Sequence, residues 1–422
     1  MCVVMDDKKK NIVVLGAGFG GLRSALMIRR GLKKRSLLGR YRVLLVDKSH
    51  CHTYTPLLYE LAAMPPDIVC MSAVADLVEH SIPRFVKRAR IDFLNAEVRS
   101  IDIEGRCVRT GSSCIPFTYL VLALGSETNF FDVPGAREHS FVLKTVADAR
   151  AIQRGLYREH DAHDGVPCVV IGGGGPTGVE LAAEIKNWMP SCDVTLVEAG
   201  DEVLGNLDPA VSRRARARFE RLGVAVRTGK RITSVAKNHL MCGDARVPFD
   251  LFVWTAGVKA TSLTAQLPGT MHDGGRIIVS HGLSCIPESR ELKVNPCVYV
   301  VGDMGCVLHS STGSPAPMLA RVALDQADVA AHNILESVRA DEFSHDPDFR
   351  IFQPKHEYPY VIPLGGKSAV ARIGRFTISG YAGWFLRGLI EFRYLTGIMP
   401  IWQAFGMWVK GLALFVRYRQ FG

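Results

Sequence analysis

The sequence predicts an α/β molecule of two Rossmann-like dinucleotide-binding units. Three observations predict it. A glycine fingerprint, Gly16-Ala17-Gly18-Phe19-Gly20-Gly21, follows the apolar run Asn11–Leu15. A second, Gly173-Gly174-Gly175-Pro176-Thr177-Gly178, follows Cys168–Ile171. A third strand pattern, Val298–Val301, ends in Gly302-Asp303. One such loop means little. Two of them, each between a buried-type strand and a helix, imply two adenine dinucleotides in one chain. The default reading is a flavoprotein supplied with electrons by a nicotinamide.

In the first unit, Gly16 allows the tight turn and Gly18 lets the backbone approach a pyrophosphate. Gly21 lets the following helix pack on its strand. That helix, through Leu22, Ala25, Leu26 and Ile28, aims its positive end at the phosphates. A second strand, Tyr41–Val46, ends in Asp47, a carboxylate for a ribose. The gap before it is lengthened by a basic loop at Lys33-Lys34-Arg35. In the second unit the strand Asp193–Val197 closes with Glu198 at ribose-binding spacing. Glu198 repels a 2′-phosphate, and Ala199-Gly200 supplies no arginine to hold one, so NADH is expected over NADPH. Gly302-Asp303 is where a two-dinucleotide flavoprotein sets a carboxylate against the flavin ribitol.

The chain has 422 residues, enough for two nucleotide domains and an appendix. Eleven cysteines lie scattered with no Cys-x-x-Cys pair. That argues against a dithiol reductase, a structural zinc site or a disulfide scaffold, and for small buried hydrophobes in a reducing compartment. No metal site is expected. Met1–Lys10 is too short and charged for a leader, since a strand begins at Asn11. The net charge of +10 accompanies no nucleic-acid module, so nucleic acid is not an expected partner.

From Ser379 the composition changes. Trp384, Trp402 and Trp408 are three of the five tryptophans, and Arg387, Arg393, Lys410, Arg417 and Arg419 face only Glu391. Trp384, Phe385, Gly388, Leu389 and Phe392 fall on one helical face. Thr396-Gly397 and Pro400 then break the chain. Ile401, Phe405, Trp408, Leu412 and Phe415 form a second stripe, flanked by Trp402 and Val409. A transmembrane helix over Ile398–Val416 would hold Lys410 in hydrocarbon, at about 2.5–3.5 kcal/mol. A core helix pair is the plainer alternative. An amphipathic, membrane-anchoring helix hairpin on an anionic lipid surface suits the composition best.

Several longer strings go beyond glycine loops. They are Asp47-Lys48-Ser49-His50-Cys51-His52-Thr53-Tyr54-Thr55-Pro56-Leu57-Leu58-Tyr59, Ala123–Phe131, Leu143-Lys144-Thr145, Gly175–Glu180 and Trp254-Thr255-Ala256-Gly257-Val258. In these the chain resembles the type II NADH:quinone dehydrogenases, single-subunit respiratory enzymes that pump no protons. The resemblance implies FAD held by Gly16, Gly18, Gly21, Asp47, Gly125 and Asp303. It implies NADH at Gly173, Gly175, Thr177, Glu198 and the Ala256-Gly257 turn. Glu180 matches a glutamate that the family keeps near nicotinamide and flavin; a carboxylate serving a helix N-terminus is the plain alternative. His50 and His52 are read as satisfying backbone carbonyls rather than relaying protons.

The family's quinone motif, Ala-Gln-x-Ala-x-Gln-Gln, reads here Ala320-Arg321-Val322-Ala323-Leu324-Asp325-Gln326. Arg321 and Asp325 sit four apart and can pair on a helix surface, or Arg321 can reach a quinone carbonyl. The expected partners are a membrane quinone, ubiquinone or menaquinone, near Ala320, Arg321 and Gln326, and a second copy in a homodimer. The expected place is the cytoplasmic face of the cell membrane, as a peripheral, monotopic protein. Two alternatives stay open. A sulfide:quinone oxidoreductase shares the scaffold, but Cys306 finds no cysteine partner between Asn129 and Val166. A NADH-sensing flavoprotein with a protein partner is kept open by Arg321 and Asp325.

The expected organisation is a discontinuous FAD domain, 11–120 and 275–340, and a NAD domain, 145–274. A C-terminal membrane region, 345–422, includes a stranded piece over Tyr360–Ile373.

Overall fold

A computed structural model describes residues 9–66, 77–111, 113–162, 166–267, 271–285 and 297–418, the side chains of 273 and 414–418 excepted. The readings made on Met1–Lys8, and on Phe415, Arg417 and Arg419 as side chains, lie outside the described residues.

The chain divides into two units. The first comprises 1–52, 81–127 and 258–356, the second 53–80, 128–257 and 357–422. This partition departs from the expected one. Residues 53–80, expected with the first nucleotide domain, belong to the second, and so does the tail.

Unit one is built on a five-stranded sheet in the spatial order Val298–Val300, Tyr119–Leu122, Lys10–Leu15, Tyr41–Asp47, Asp92–Asn95. All neighbours are parallel. The first strand is central, so Ile12 to Leu15 are fully buried, as a strand covered on both faces requires. Helix Phe19–Lys34 returns the chain across one face, and Ala320–Phe343 packs beside it. Lys33-Lys34, read as loop, form the last turn of that helix, where cations meet the negative end of its dipole. The unit also holds a three-stranded antiparallel piece, Val98–Asp102, Cys107–Thr110 and Cys114–Pro116. Among the cysteines, read mostly as small buried hydrophobes, Cys107 and Cys114 are bridged. They lie on adjacent strands of a hairpin, a proximity that pairing register creates and cysteine spacing alone does not reveal.

Unit two repeats the plan with four parallel strands, Val224–Arg227, Asp193–Val197, Cys168–Gly172 and Leu251–Trp254. Its first crossover is helix Pro176–Trp188. The short helix Leu58–Ala63 is buried at every position. It is tied down by Gln153 Nε2 donating to the Met64 carbonyl at 2.6 Å and Tyr157 Oη to Ala63 at 3.1 Å.

The tail begins with an antiparallel sheet, Tyr360–Pro363, Ala369–Ile373 and Phe376–Gly380, which runs past the expected end at Ile373. Helices Tyr381–Ile398 and Ile401–Tyr418 follow. The break falls at Met399-Pro400 alone. Thr396 and Gly397 stay helical, the Thr396 hydroxyl donating back to the Arg393 carbonyl at 2.7 Å. The expected common face of the first helix divides: Trp384 is buried, whereas Phe385 and Leu389 are exposed. On the second, Ile401, Trp402, Phe405 and Val409 are exposed and Ala404 is buried. Among the described residues no helix is long and apolar enough to cross a membrane.

Candidate functional site

The two glycine loops are geometrically alike. Gly16 and Gly173 have φ of 93° and 113°, a left-handed conformation that favours glycine. A side chain on Gly21 would drive into the Gly16 carbonyl oxygen, and one on Gly178 into that of Gly173. Helix and turn therefore close only with glycine there. At the middle glycines, Gly18 and Gly175, a Cβ would meet nothing within 4 Å. Each stands at the N-cap of its helix, Phe19–Lys34 or Pro176–Trp188, with no side chain capping it. The open space and the uncapped N–H groups fit an incoming pyrophosphate. Thr177 lies exposed in the first turn of the second helix.

The acids closing the second strands are placed alike as well. Asp47 accepts from Ala17 N at 2.6 Å and Ser49 N at 2.7 Å. Glu198 accepts from Gly174 N at 2.5 Å and Gly200 N at 2.6 Å. Each carboxylate leans over its own glycine loop, beside the place a ribose would occupy. His52 supports the first loop from behind. It is buried, and its Nδ1–H donates to the Ala17 carbonyl at 2.8 Å. Burial pushes its pKa down to about 4, so the ring is neutral and structural.

Also in unit one, Asp303 accepts from Ser126 Oγ at 2.7 Å, and Gly125 turns the chain with φ 73°. Ala320 and Arg321 open the long helix, where Arg321 is tied to Asp325 at 2.8 Å. Of its two readings the surface pair is the one formed. Gln326 is 1% exposed, and its Oε1 accepts from Gly302 N at 2.7 Å. It thus braces the Gly302-Asp303 turn, and its Nε2 is left buried without a partner.

In unit two, Gly257 O accepts from Asn129 N at 3.1 Å, and Trp254 Nε1 donates to Asn129 O at 2.9 Å. Glu180 is the fifth residue of its helix, past the first turn, so it does not serve the N-terminus. Burial instead pushes its carboxyl up to about 8, Arg387 opposing and Glu60 adding. Sequence reasoning missed this company. Arg387 Nη1 donates to Glu60 Oε1 at 2.7 Å and also to Tyr59, whose hydroxyl lies 3.0 Å from Glu60. Arg387 was expected to face lipid headgroups; its side chain is 12% exposed and that of Glu60 1%. Burial opposes its charge, but Tyr59, Glu60 and Glu391 outweigh that and hold the guanidinium firmly protonated. The cause is an acid 327 residues away, which no local pattern signals.

A family model described as pyridine nucleotide-disulphide oxidoreductase matches residues 10–327. The chain belongs to that family. Its relatives include several type II NADH:quinone oxidoreductases. It is 26% identical over 427 residues to the type II NADH:quinone oxidoreductase NdhA of Mycobacterium tuberculosis, covering 92% of this chain and 84% of that one. It is 30% identical over 346 residues to the mitochondrial external alternative NAD(P)H-ubiquinone oxidoreductase B1 of Solanum tuberosum, covering 72% of this chain. The chain spans 56% of the length of that relative. A solved structure of NDH2 from Plasmodium falciparum in complex with NADH superposes with TM-score 0.80 at 16% identity, over 98% of this chain and 99% of that one. That likeness shows a shared fold.

Proposed function

We propose that the chain is a FAD-dependent NADH:quinone oxidoreductase that reduces a membrane quinone, ubiquinone or menaquinone, without ion pumping. The observation that carries it is the second complete dinucleotide loop, open at Gly175 and closed by Glu198, in a chain whose first loop is equally complete. When bound, FAD supplies the chemistry, taking a hydride from NADH and passing two electrons to the quinone. The chain's part is placement and protons. Gly16, Gly18, Gly21, Asp47, Gly125 and Asp303 would hold FAD. Gly173, Gly175, Thr177, Glu198 and Gly257 would hold NADH, with the Glu198 carboxylate turning away a 2′-phosphate. Glu180 carries a proton at neutral pH. Ala320, Arg321 and Gln326 would lie on the quinone side, Gln326 through the turn it braces.

The sulfide alternative is not favoured. It needs a reactive cysteine, and Cys306 is buried, its thiol pushed up by that burial. The same reading has the protein on an anionic lipid surface at the cytoplasmic face, as a homodimer. The apolar surface at Ile401, Trp402, Phe405 and Val409 supports the lipid contact. Light scattering of the detergent-solubilised protein decides the second copy.

The test is a steady-state assay of purified, lipid-supplemented protein. NADH, NADPH and sulfide are each offered against short-chain ubiquinone and menaquinone analogues. Rapid turnover with NADH and a quinone is expected. Oxidation of sulfide alone would overturn the reading, and so would a tight NADH charge-transfer complex without turnover, the behaviour of a sensor.

A further inference from the structure

Helix Tyr381–Ile398 sets Trp384, Arg387, Gly388 and Glu391 on one face, at three- and four-residue intervals. That face meets helix Ile401–Tyr418 at Trp408, Gly411 and Leu412. A crevice of about 20 Å³ lies between them. That is room for roughly one water molecule. Its polar lining is Arg387 and Glu391, the latter 6% exposed.

One guanidinium here serves three carboxyls. Glu60 takes it as an ion pair, while Glu391 and Glu180 feel it through space. Burial drives Glu391 above the ordinary carboxyl range, Arg387 opposing and Glu60 adding. The other groups facing the cluster are the neutral hydroxyls of Tyr54, Tyr59 and Tyr394, and Glu184, which acts on Tyr59. Among the described side chains of the last helix the charged one is Lys410, which is exposed. Poorly solvated like charges do not all ionise, so burial here favours the protonated form of the unpaired carboxyls.

We propose that Glu391 is a proton port: it takes a proton from water in the crevice between the tail helices and passes it beside Arg387, through Glu60, to Glu180. This rests on the quinone-reductase reading, in which NADH, one proton and a quinone give NAD⁺ and a quinol. The proton comes from the medium. An O–H bond on Glu391 breaks as one forms on Glu60, and the same exchange then restores Glu180 after it has given its proton away. No electrons move along this route. Glu391 touches no substrate in it and acts through Glu180.

The experiment uses the FAD-loaded full chain in detergent. Infrared pH titration of the wild type is expected to show protonated carboxyl groups persisting at neutral pH, one fewer in Glu391→Gln. In stopped flow, NADH should reduce the flavin of Glu391→Gln at the wild-type rate. Reoxidation by a short-chain quinone should slow by about a hundredfold, the scale of a general acid–base contribution. Glu391→Asp should recover most of that rate. Gly388→Val, which builds a side chain against Trp408 on the crevice wall without altering a charge, should slow the same step and serves if Glu391→Gln fails to fold. Wild-type reoxidation in a folded Glu391→Gln across the pH range overturns the proposal. So does a wild type with no protonated carboxyl at neutral pH. If quinones never reoxidise the NADH-reduced wild type, the quinone-reductase reading itself falls, and the infrared titration still decides whether Glu391 holds a proton.

Discussion

Glu198 and Glu180 both belong to the second glycine unit, yet their surroundings give them opposite duties. Glu198 spends its two oxygens on the N–H groups of Gly174 and Gly200 at 2.5 and 2.6 Å, which fixes it over its own glycine loop. Replacing it with alanine removes both bonds and the charge that repels a 2′-phosphate. Glu198→Ala should raise the Michaelis constant for NADH about tenfold, the effect of losing 1–2 kcal/mol of hydrogen bonding. The preference for NADH over NADPH, measured as the ratio of kcat/KM values, should shrink with it. Glu180 instead sits where burial lifts its carboxyl from the ordinary 4.5 to about 8. Because its folded pKa is the higher one, its contribution to stability is complete below 4.5 and is lost as pH rises through about 8. Glu180→Gln should therefore leave Tm unchanged in acid and raise it relative to wild type above pH 8, as calorimetry across pH would show. An identical pH dependence in the two proteins would remove the elevated carboxyl.

At the scale of elements, the strand–loop–helix unit separates residues that make the fold from residues that receive the ligand. Gly18 faces open space, whereas Gly21 lies against the Gly16 carbonyl. Gly18→Ala should lose FAD, visible as colourless protein, while keeping the Tm of FAD-free wild type. Gly21→Ala should cost about 1–3 kcal/mol in stability, the ordinary penalty for overpacking, as denaturant unfolding would show. Equal behaviour of the two variants would contradict these separate roles. The buried pair of Arg387 and Glu60 joins helix Tyr381–Ile398 to the helix Leu58–Ala63. Arg387→Met strands a buried carboxylate and should destabilise by about 3–5 kcal/mol, whereas a surface pair such as Arg321–Asp325 should contribute under about 1 kcal/mol.

For the whole molecule, the tail supplies a broad exposed apolar surface on its last helix, Ile401, Trp402, Phe405 and Val409, with Arg393 and Lys410 exposed nearby. Changing Ile401, Trp402, Phe405 and Val409 together to serine should release the enzyme from anionic vesicles in a flotation assay. Turnover with a water-soluble quinone should persist. Retention of the variant on vesicles would place the anchor elsewhere.

Both parallel sheets, their first crossover helices and their glycine turns were legible in the chain because they depend on neighbours: an apolar run, a residue free to take positive φ, a carboxylate at the next strand end. Cofactor chemistry follows from the same short strings. What only the tertiary structure decided is what depends on partners far apart in sequence. Composition marked Arg387 and Glu391 as a surface cation and a lone acid, and folding buried Glu391 and paired the half-buried Arg387 with Glu60. Gln326 became a brace for Gly302, and Cys107 met Cys114 across a hairpin. Burial and charge pairing are properties of assembled space, and a carboxyl's proton affinity is set there rather than by the residues on either side of it.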